Sequence, residues 1–458
     1  MSIAAPITRT VAVADLRRAG WASSLGSAME YYDFALYSLA SALVFGPLFF
    51  PGNDPATALI LSFGTYFLGF AVRPVGGIVF GRLGDRVGRK FVLMATILLM
   101  GGGSTLIGVL PTYHGASGDW YGKGGAGVLA PILLIVLRLV QGLGAGAEMS
   151  GASVLMAEFA PPARRGYLAS LPFLGVQIGT VVAAVVYFLM LGASASTPIS
   201  QTWLWRIPFL SSVLILGVAI FIRLKLRESP TFVRLEANEQ IENRPLRTLV
   251  TRSWKTILIG LGLRMAENGG SSIYQAFAVA YVSSAAVGIK GPIGALSLVI
   301  AAAVGAAMVP VAGRLTDRYG RRPVYRALAV YQLLTVFPIW WVLSHGDTLS
   351  TIIVISLGLG IGSWGMFGAQ SALMCELFGS RQRYLGASVA REVSAVFAGG
   401  IAPMVGAAIM SASGSGNGAW IPIAGYLAVL TAITVVATFF MPETRGRDLD
   451  RTTDAIAD

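Results

Sequence analysis

Apolar residues run along this chain in long blocks separated by short polar loops, without the strict alternation of half-buried strands. Twelve blocks reach the length that spans a bilayer, which takes about 20 mostly apolar residues for a hydrocarbon core of roughly 30 Å. They fall at 20–45, 57–80, 91–111, 128–158, 167–191, 204–223, 254–284, 292–316, 323–343, 350–378, 385–411 and 419–441. The pattern predicts an all-α integral membrane protein. A long polar stretch at 224–253 separates two sets of six spans. The expected organisation is a tail at 1–19, a first half at 20–223, a linker at 224–253, a second half at 254–441 and a tail at 442–458. No short apolar region with a small-residue cleavage site precedes the first span, so no cleaved signal peptide is expected.

Composition narrows the function. Apolar residues make up 55% of the chain and charged residues 12%, with a mean hydropathy of +0.70, against about 25% charged in a soluble domain. A soluble enzyme, a disordered chain and a nucleic-acid-binding domain are excluded as main readings. The net charge of +12 is better explained by basic loops. With both termini and every even-to-odd loop on one face, the other face holds only Lys123, Arg206 and Lys290, and Arg73, Arg138, Arg264 and Arg391 lie within spans. Every other basic residue sits with the termini. The positive-inside rule then places both termini in the cytoplasm, with the chain in the plasma (inner) membrane. Cys375 alone, with His114 and His345, excludes a disulfide framework and a Cys- or His-rich metal centre. Neither a Walker sequence, a zinc-protease motif nor a nucleophile elbow occurs. No catalytic role and no cofactor are expected.

The two halves echo one another. Gly81-Arg82-Leu83-Gly84-Asp85-Arg86-Val87-Gly88-Arg89-Lys90 follows span two, and Gly313-Arg314-Leu315-Thr316-Asp317-Arg318-Tyr319-Gly320-Arg321-Arg322 follows span eight. Glu158, Arg165, Ala169 and Ser170 are matched by Glu376, Arg383, Ala387 and Ser388. Parallel repeats place a binding site between the halves near mid-membrane and let the halves rock around it. The decapeptides resemble the signature of the major facilitator superfamily. Glu30-Tyr31-Tyr32-Asp33-Phe34, Arg73-Pro74-Val75-Gly76-Gly77, Arg138-Leu139-Val140-Gln141-Gly142 and Glu228-Ser229-Pro230-Thr231-Phe232 are similar to segments of its metabolite–proton symporter family. Tyr384 and Phe337-Pro338 resemble the shikimate-type members. The resemblance implies a twelve-helix carrier that imports a small organic acid with protons and acts as a monomer. A proton symporter of a zwitterionic osmolyte such as betaine or proline is the alternative. A sugar facilitator stays open because Pro442-Glu443-Thr444-Arg445-Gly446 resembles the end of sugar carriers. A drug antiporter is disfavoured, since span five reads Leu174-Gly175-Val176-Gln177-Ile178-Gly179-Thr180, without the Gly-Pro motif.

The decapeptide residues suit an inner gate. Asp85 and Asp317 can accept hydrogen bonds from a neighbouring helix N-terminus. Arg86, Arg89, Arg318 and Arg321, with Arg165 and Arg383, can pair with Glu158 or Glu376. The alternative is that these residues only set topology and satisfy helix ends. Arg73 is assigned to the same gate, with a substrate role open, and Arg391 and Glu392, nearer the cytoplasmic end of span eleven, are expected to snorkel or gate.

Charges inside spans cost roughly 2.5–3.5 kcal/mol each at a helix centre, so they normally face a partner or a watery cavity. Glu30 and Asp33 share a face of span one. Asp33 lies roughly 20 Å along its helix and Arg138 roughly 15 Å along span four at 1.5 Å per residue, so the two can meet near mid-membrane. The resemblance implies that this acid–arginine pair couples proton to substrate, with Glu30 and Glu148 as alternative proton carriers. A permanent structural ion pair is the other reading. Arg264 is a candidate carboxylate ligand by its two-pronged geometry, unless it simply pairs with Glu267. Tyr37, Gln177, Tyr274, Gln275, Trp364 and Gln370 are candidate cavity-lining residues, although aromatic residues at helical spacing more often pack. Trp203, Trp205, Trp340 and Trp341 are expected at the lipid–water interface.

Overall fold

The computed structural model describes residues 13–87, 89–115, 124–146, 153–154, 156–158, 160–193, 203–225, 249, 251–284, 287–289, 292–345, 347–380, 382–413 and 418–457. Side chains at 13–23, 81–82, 84–93, 215, 219 and 221–225 fall outside that description.

The described residues form twelve helical rods and no strand. The first half comprises α1 (Val13–Leu43), α2 (Pro55–Ala71 continued by Arg73–Val87), α3 (Arg89–Val109), α4 (Leu129–Ala145), α5 (Arg165–Ser170 joined by a 3-10 turn to Leu174–Ala193) and α6 (Ile207–Lys225). In the second half α7 runs Trp254–Ser272 and Ala278–Ser283 with a π-turn between. It is followed by α8 (Ile293–Tyr319), α9 (Arg321–Leu343), α10 (Thr348–Ile355 and Trp364–Leu377 around a π-turn), α11 (Arg383–Ser394 and Ile401–Ala412 around a π-turn) and α12 (Trp420–Phe440). Each block expected from the apolar pattern is helical over most of its described residues, residues 147–152 and 155 of the fourth lying outside them.

Local chemistry sets the ends. Asp54 caps α2 by accepting from the Ala56 and Thr57 N–H groups at 3.0 and 3.1 Å, and Pro55 takes the first helical position, where no N–H is needed. Asp347 caps α10 through the Ser350 N–H at 2.8 Å. The turn from α8 to α9 is one residue long, Gly320 at φ 103°, a conformation open to glycine. Pro310 and Pro338 sit inside α8 and α9, as membrane helices tolerate when neighbours satisfy the freed groups.

The packing repeats at an offset of six. In the first half α1 packs on α5, α3 on α6 and α2 on α4. In the second α7 packs on α11, α9 on α12 and α8 on α10. The halves meet where α5 crosses α8 and α2 crosses α11. Polarity is inverted relative to a soluble protein. Leu189, Leu214, Leu334, Phe397 and Val436 are exposed, while Glu30, Asp33, Arg73, Arg138 and Arg264 are buried. That arrangement suits hydrocarbon as the surrounding solvent. Among the described residues, seven helices are individually long and apolar enough to cross a membrane. The tryptophans divide. Trp203 and Trp341 are about half exposed, but Trp205 and Trp340 are fully buried. This corrects their expected place at the interface: Trp205 packs against Phe45, Phe49 and Phe209, and Trp340 against Tyr274, Phe277 and Tyr281.

Candidate functional site

α1, α2 and α4 converge on Arg138. Its guanidinium carbon stands 3.9 Å from the centre of the Tyr37 ring, 5.4 Å from Tyr66 and 5.5 Å from Phe34. Nη1 donates to Gln141 Oε1 at 2.5 Å, and Gln141 Nε2 donates to Ser104 Oγ at 2.5 Å. Nε and Nη2 are buried with no hydrogen-bond partner. Gly69 makes room for the guanidinium, since a Cβ there would run into it. Tyr37 is held by donating to Thr65 Oγ1 at 2.7 Å.

Asp33 lies one turn back along α1 and faces elsewhere. It accepts from Ser212 Oγ on α6 at 3.0 Å and lines a small crevice with Glu30, Met29, Ile97, Met100, Gly101, Ser212 and Leu216. The expected Asp33–Arg138 ion pair is therefore not formed in this structure. The guanidinium has stacked on the Tyr37 ring, four residues further along the same helix, and the carboxylate has turned toward α3 and α6.

Glu30 is taken by a different arginine. Arg73 donates from Nη2 to Glu30 Oε1, and its Nε lies 3.3 Å from Glu392 Oε2 on α11. Arg391 in turn lies 3.6 Å from Glu392 Oε1. Arg73 also sits 5.0 Å from the Phe34 ring, so Phe34 stands between two buried guanidinium groups. Tyr31, Phe173 and Phe367 meet across the halves, with ring centres 6.2 Å apart for Tyr31–Phe367 and 4.3 Å for Phe173–Phe367.

The second half holds its own polar cluster. Arg264 lies 3.2 Å from Glu267 and donates to Ser394 Oγ at 3.2 Å and Asn268 Oδ1 at 3.4 Å. Gln370 donates to Glu267 at 3.2 Å. Arg264 is thus paired with the neighbour weighed against its ligand role, and a substrate carboxylate would have to displace Glu267. Tyr274 stacks on Trp340 and fills the space beside Gly358, while Trp364 packs against Gly305. Both are packing residues of the second half here, correcting their place among cavity-lining residues. Gln275 is buried in the π-turn of α7. Gln177 on α5 is fully buried with both amide atoms unpartnered.

At the end of the bundle carrying the decapeptides, the halves are bonded together. Asp317 accepts from the Gly166 and Tyr167 N–H groups at the start of α5, at 2.7 and 2.9 Å. Arg165 pairs with Glu376 at 3.1 Å and Arg383 with Glu158 at 2.9 Å. Arg321 holds Glu376 through two bonds of 3.0 and 3.1 Å and Asp317 at 2.8 Å. Arg318 departs from its expected part in this network, its guanidinium lying over the adjacent Tyr319 ring at 5.2 Å. The side chains of Asp85, Arg86 and Arg89, and Glu148, lie outside the described residues. Sequence reasoning missed the tail. Glu443 accepts from the Arg321 and Arg322 N–H groups at 2.8 and 3.0 Å, capping α9, and the Arg447 carbonyl accepts from Arg165 at 2.9 Å. It also missed Phe34, Phe70 and Phe367, and it gave Glu392 a snorkelling or gating place without naming Arg73 as its partner.

Two six-helix repeats, charges buried between them and an apolar exterior define a multi-pass membrane transporter. The profile of the family described as "Sugar (and other) transporter" matches residues 21–256 and again 240–455. The inner membrane metabolite transport protein YhjE of Escherichia coli is 34% identical over 436 residues, covering 93% of this chain and 94% of that protein. The shikimate transporter of E. coli is 32% identical over 445 residues, covering 96% and 98%. The proline/betaine transporter of E. coli is 31% identical over 471 residues, covering 99% and 89%. Among solved structures, the xylose transporter XylE from E. coli superposes with a TM-score of 0.72 at 17% identity, covering 95% of this chain and 99% of that one. The chain belongs to the sugar (and other) transporter family of the major facilitator superfamily, in the company of its metabolite transporters. It is a metabolite transporter and not an enzyme.

Proposed function

We propose that this transporter is a proton-coupled symporter that imports a small organic acid by alternating access, working as a monomer in the plasma membrane with both termini in the cytoplasm. The observation that carries the reading is Arg138, which is 2% exposed, meets no carboxylate among its described contacts and has two donor nitrogens unused. A buried, unpaired cation is costly, and a substrate carboxylate entering beside it supplies the missing charge and hydrogen bonds.

The proton has a separate seat in this reading. Asp33 makes no ion pair with Arg138 and lines a crevice with Ser212 and Glu30, so it can take up a proton without competing with the substrate for the guanidinium. The pair expected from the sequence belongs to the substrate-free side of the cycle, when Arg138 needs a counter-charge. Glu148 and Glu30 are the alternative carriers. The halves 20–223 and 254–441 rock about the site, and the network of Glu376, Arg165, Arg321, Asp317, Arg383 and Glu158 closes the cytoplasmic end. No cofactor takes part beyond the coupling proton.

The shikimate and proline/betaine transporters are similar at close to the same level, which favours keeping a zwitterionic osmolyte as the second reading. Betaine also carries a carboxylate for Arg138. The test is uptake into proteoliposomes under an imposed pH gradient, with shikimate, 2-oxoglutarate, citrate, proline and betaine as probes. Gradient-driven accumulation of an organic acid supports the proposal. Robust betaine or proline uptake without any organic acid replaces it with the osmolyte reading.

A further inference from the structure

We infer that Arg391, Glu392, Arg73 and Glu30 form a gate that parts without stranding a charge in the membrane. The four groups make a chain of alternating sign. Arg391 Nε lies 3.6 Å from Glu392 Oε1, Glu392 Oε2 lies 3.3 Å from Arg73 Nε, and Arg73 Nη2 is bonded to Glu30 Oε1. Arg391 and Glu392 are both on α11, and Arg73 and Glu30 are on α2 and α1. The outer links thus lie inside one half each, and only the central link crosses between halves.

Arg391 and Glu392 lie about two turns along α11 from Arg383 of the end network, so opening the end that carries the decapeptides stretches the central link. Each half then leaves with one guanidinium and one carboxylate still together. A single unpaired charge at membrane depth is costly, and splitting the chain at its middle leaves each half with a paired one. The bonding is graded in the same sense. Arg73 Nε and Glu392 Oε2 make no aligned hydrogen bond, so charge alone holds the crossing, whereas Arg73 has a direct hydrogen bond to Glu30 in its own half. The inference rests on alternating access but not on the identity of the substrate or on proton coupling.

It makes the four residues unequal. Removing the Glu392 carboxylate deletes the crossing link and leaves Arg73 paired with Glu30 in both states, so the gate opens more. Removing the Glu30 carboxylate leaves Arg73 paired only while the gate is closed, so the gate opens less. Removing Arg391 strands Glu392 on opening and acts in the same direction as losing Glu30.

Cys375, the single cysteine, reports the state of this end. It is fully buried on α10 among Val154, Ala157 and Ala169 of the first half and Ala372 of the second. The experiment is the rate of Cys375 alkylation by N-ethylmaleimide in purified protein in detergent, without substrate or gradient, referred to total thiol in SDS. Glu392→Gln is expected to label roughly fivefold faster than wild type, and Glu30→Gln and Arg391→Gln severalfold slower. A Glu30→Gln protein that labels as fast as wild type, or faster, overturns the inference. Should a Gln variant label like the SDS-unfolded chain, Glu392→Asp and Glu30→Asp decide: opposite shifts support the gate, and shifts in one direction overturn it. A chain that takes up no organic acid yet shows the opposite shifts refutes the carboxylate reading and leaves the gate standing.

Discussion

Arg138 and Tyr37 are stacked, the guanidinium carbon 3.9 Å from the ring centre, and the ring stands where a carboxylate was expected. The stack supports a cation but leaves two of its donor nitrogens unused. Arg138→Lys keeps the charge and loses both the flat stacking surface and the two-pronged donor. Losing a hydrogen bond to a charged group costs about 1.5–3 kcal/mol, so apparent affinity in uptake should fall roughly 10- to 150-fold. Tyr37→Phe keeps the ring and loses only the bond to Thr65, worth about 0.5–1.5 kcal/mol. It should retain most uptake. Equal losses in the two variants would remove the stack from the mechanism.

Asp33→Asn abolishes the proposed proton seat while preserving shape and the bond from Ser212. Accumulation driven by a pH gradient should be lost. Exchange of preloaded for external substrate, which needs no net proton movement, should continue. Accumulation at the wild-type level would exclude Asp33 as the coupling acid. Comparing the two fluxes in the same vesicles separates this from a folding defect.

The apolar blocks made the twelve helices legible because length and hydropathy decide whether a segment spans a bilayer. The repeated decapeptide made the end-face contacts legible, since Asp317 does accept from a helix N-terminus of the other half. Partner choice was not legible. Depth arithmetic put Asp33 and Arg138 at one level, but it carries no rotation about the helix axis, and rotation is what sends Asp33 to Ser212 and Arg138 to Tyr37. Arg73 paired with Glu30, 43 residues earlier in the chain, and with Glu392 in the other half, a choice only three-dimensional packing makes. The same blindness misplaced Trp205 and Trp340, which lie near span ends but on inward faces.

Glu376 is the hub of the end-face network. It accepts from Arg321 at 3.0 and 3.1 Å, Arg165 at 3.1 Å and Thr444 at 2.9 Å, and it is fully buried. Breaking a buried ion pair by removing one partner costs on the order of 3–5 kcal/mol. Glu376→Gln should lower the unfolding temperature in detergent and speed alkylation of the adjacent Cys375. Thr444→Ala removes one neutral donor and should do neither to a comparable extent. A Glu376→Gln protein as stable and as protected as wild type would show that the network is not what closes this end.

Asp347 gives a pH dependence of definite sign. The Ser350 backbone N–H, followed by the Ser350 side chain, holds its carboxyl below the usual carboxylate value. A depressed folded pKa means the cap's contribution is present above the unfolded value near 3.8 and is lost as pH falls through the folded value. The thermal stability of wild type should therefore exceed that of Asp347→Ala at neutral pH, and the gap should close in acid below that range. A gap that persists unchanged into strong acid would show that the charged cap is not its source.

Gly142 links packing to the site. A Cβ there would run into the Gly69 carbonyl and a Val72 methyl, and a Cβ at Gly146 would run into the Arg73 carbonyl. Small residues at this spacing let α4 approach α2 closely, and that approach places Arg138 against Gly69 and brings Arg73 under the Ala145 carbonyl at 3.4 Å. Gly142→Ala forces the helices apart, with an overpacking cost of about 1–3 kcal/mol. The chain should still insert, because twelve apolar helices survive, but unfolding temperature and substrate affinity should fall together. Gly217 faces open space, and Gly217→Ala should leave both unchanged. If Gly142→Ala binds and carries substrate as wild type does, the close crossing of α2 and α4 is not what positions the two arginines.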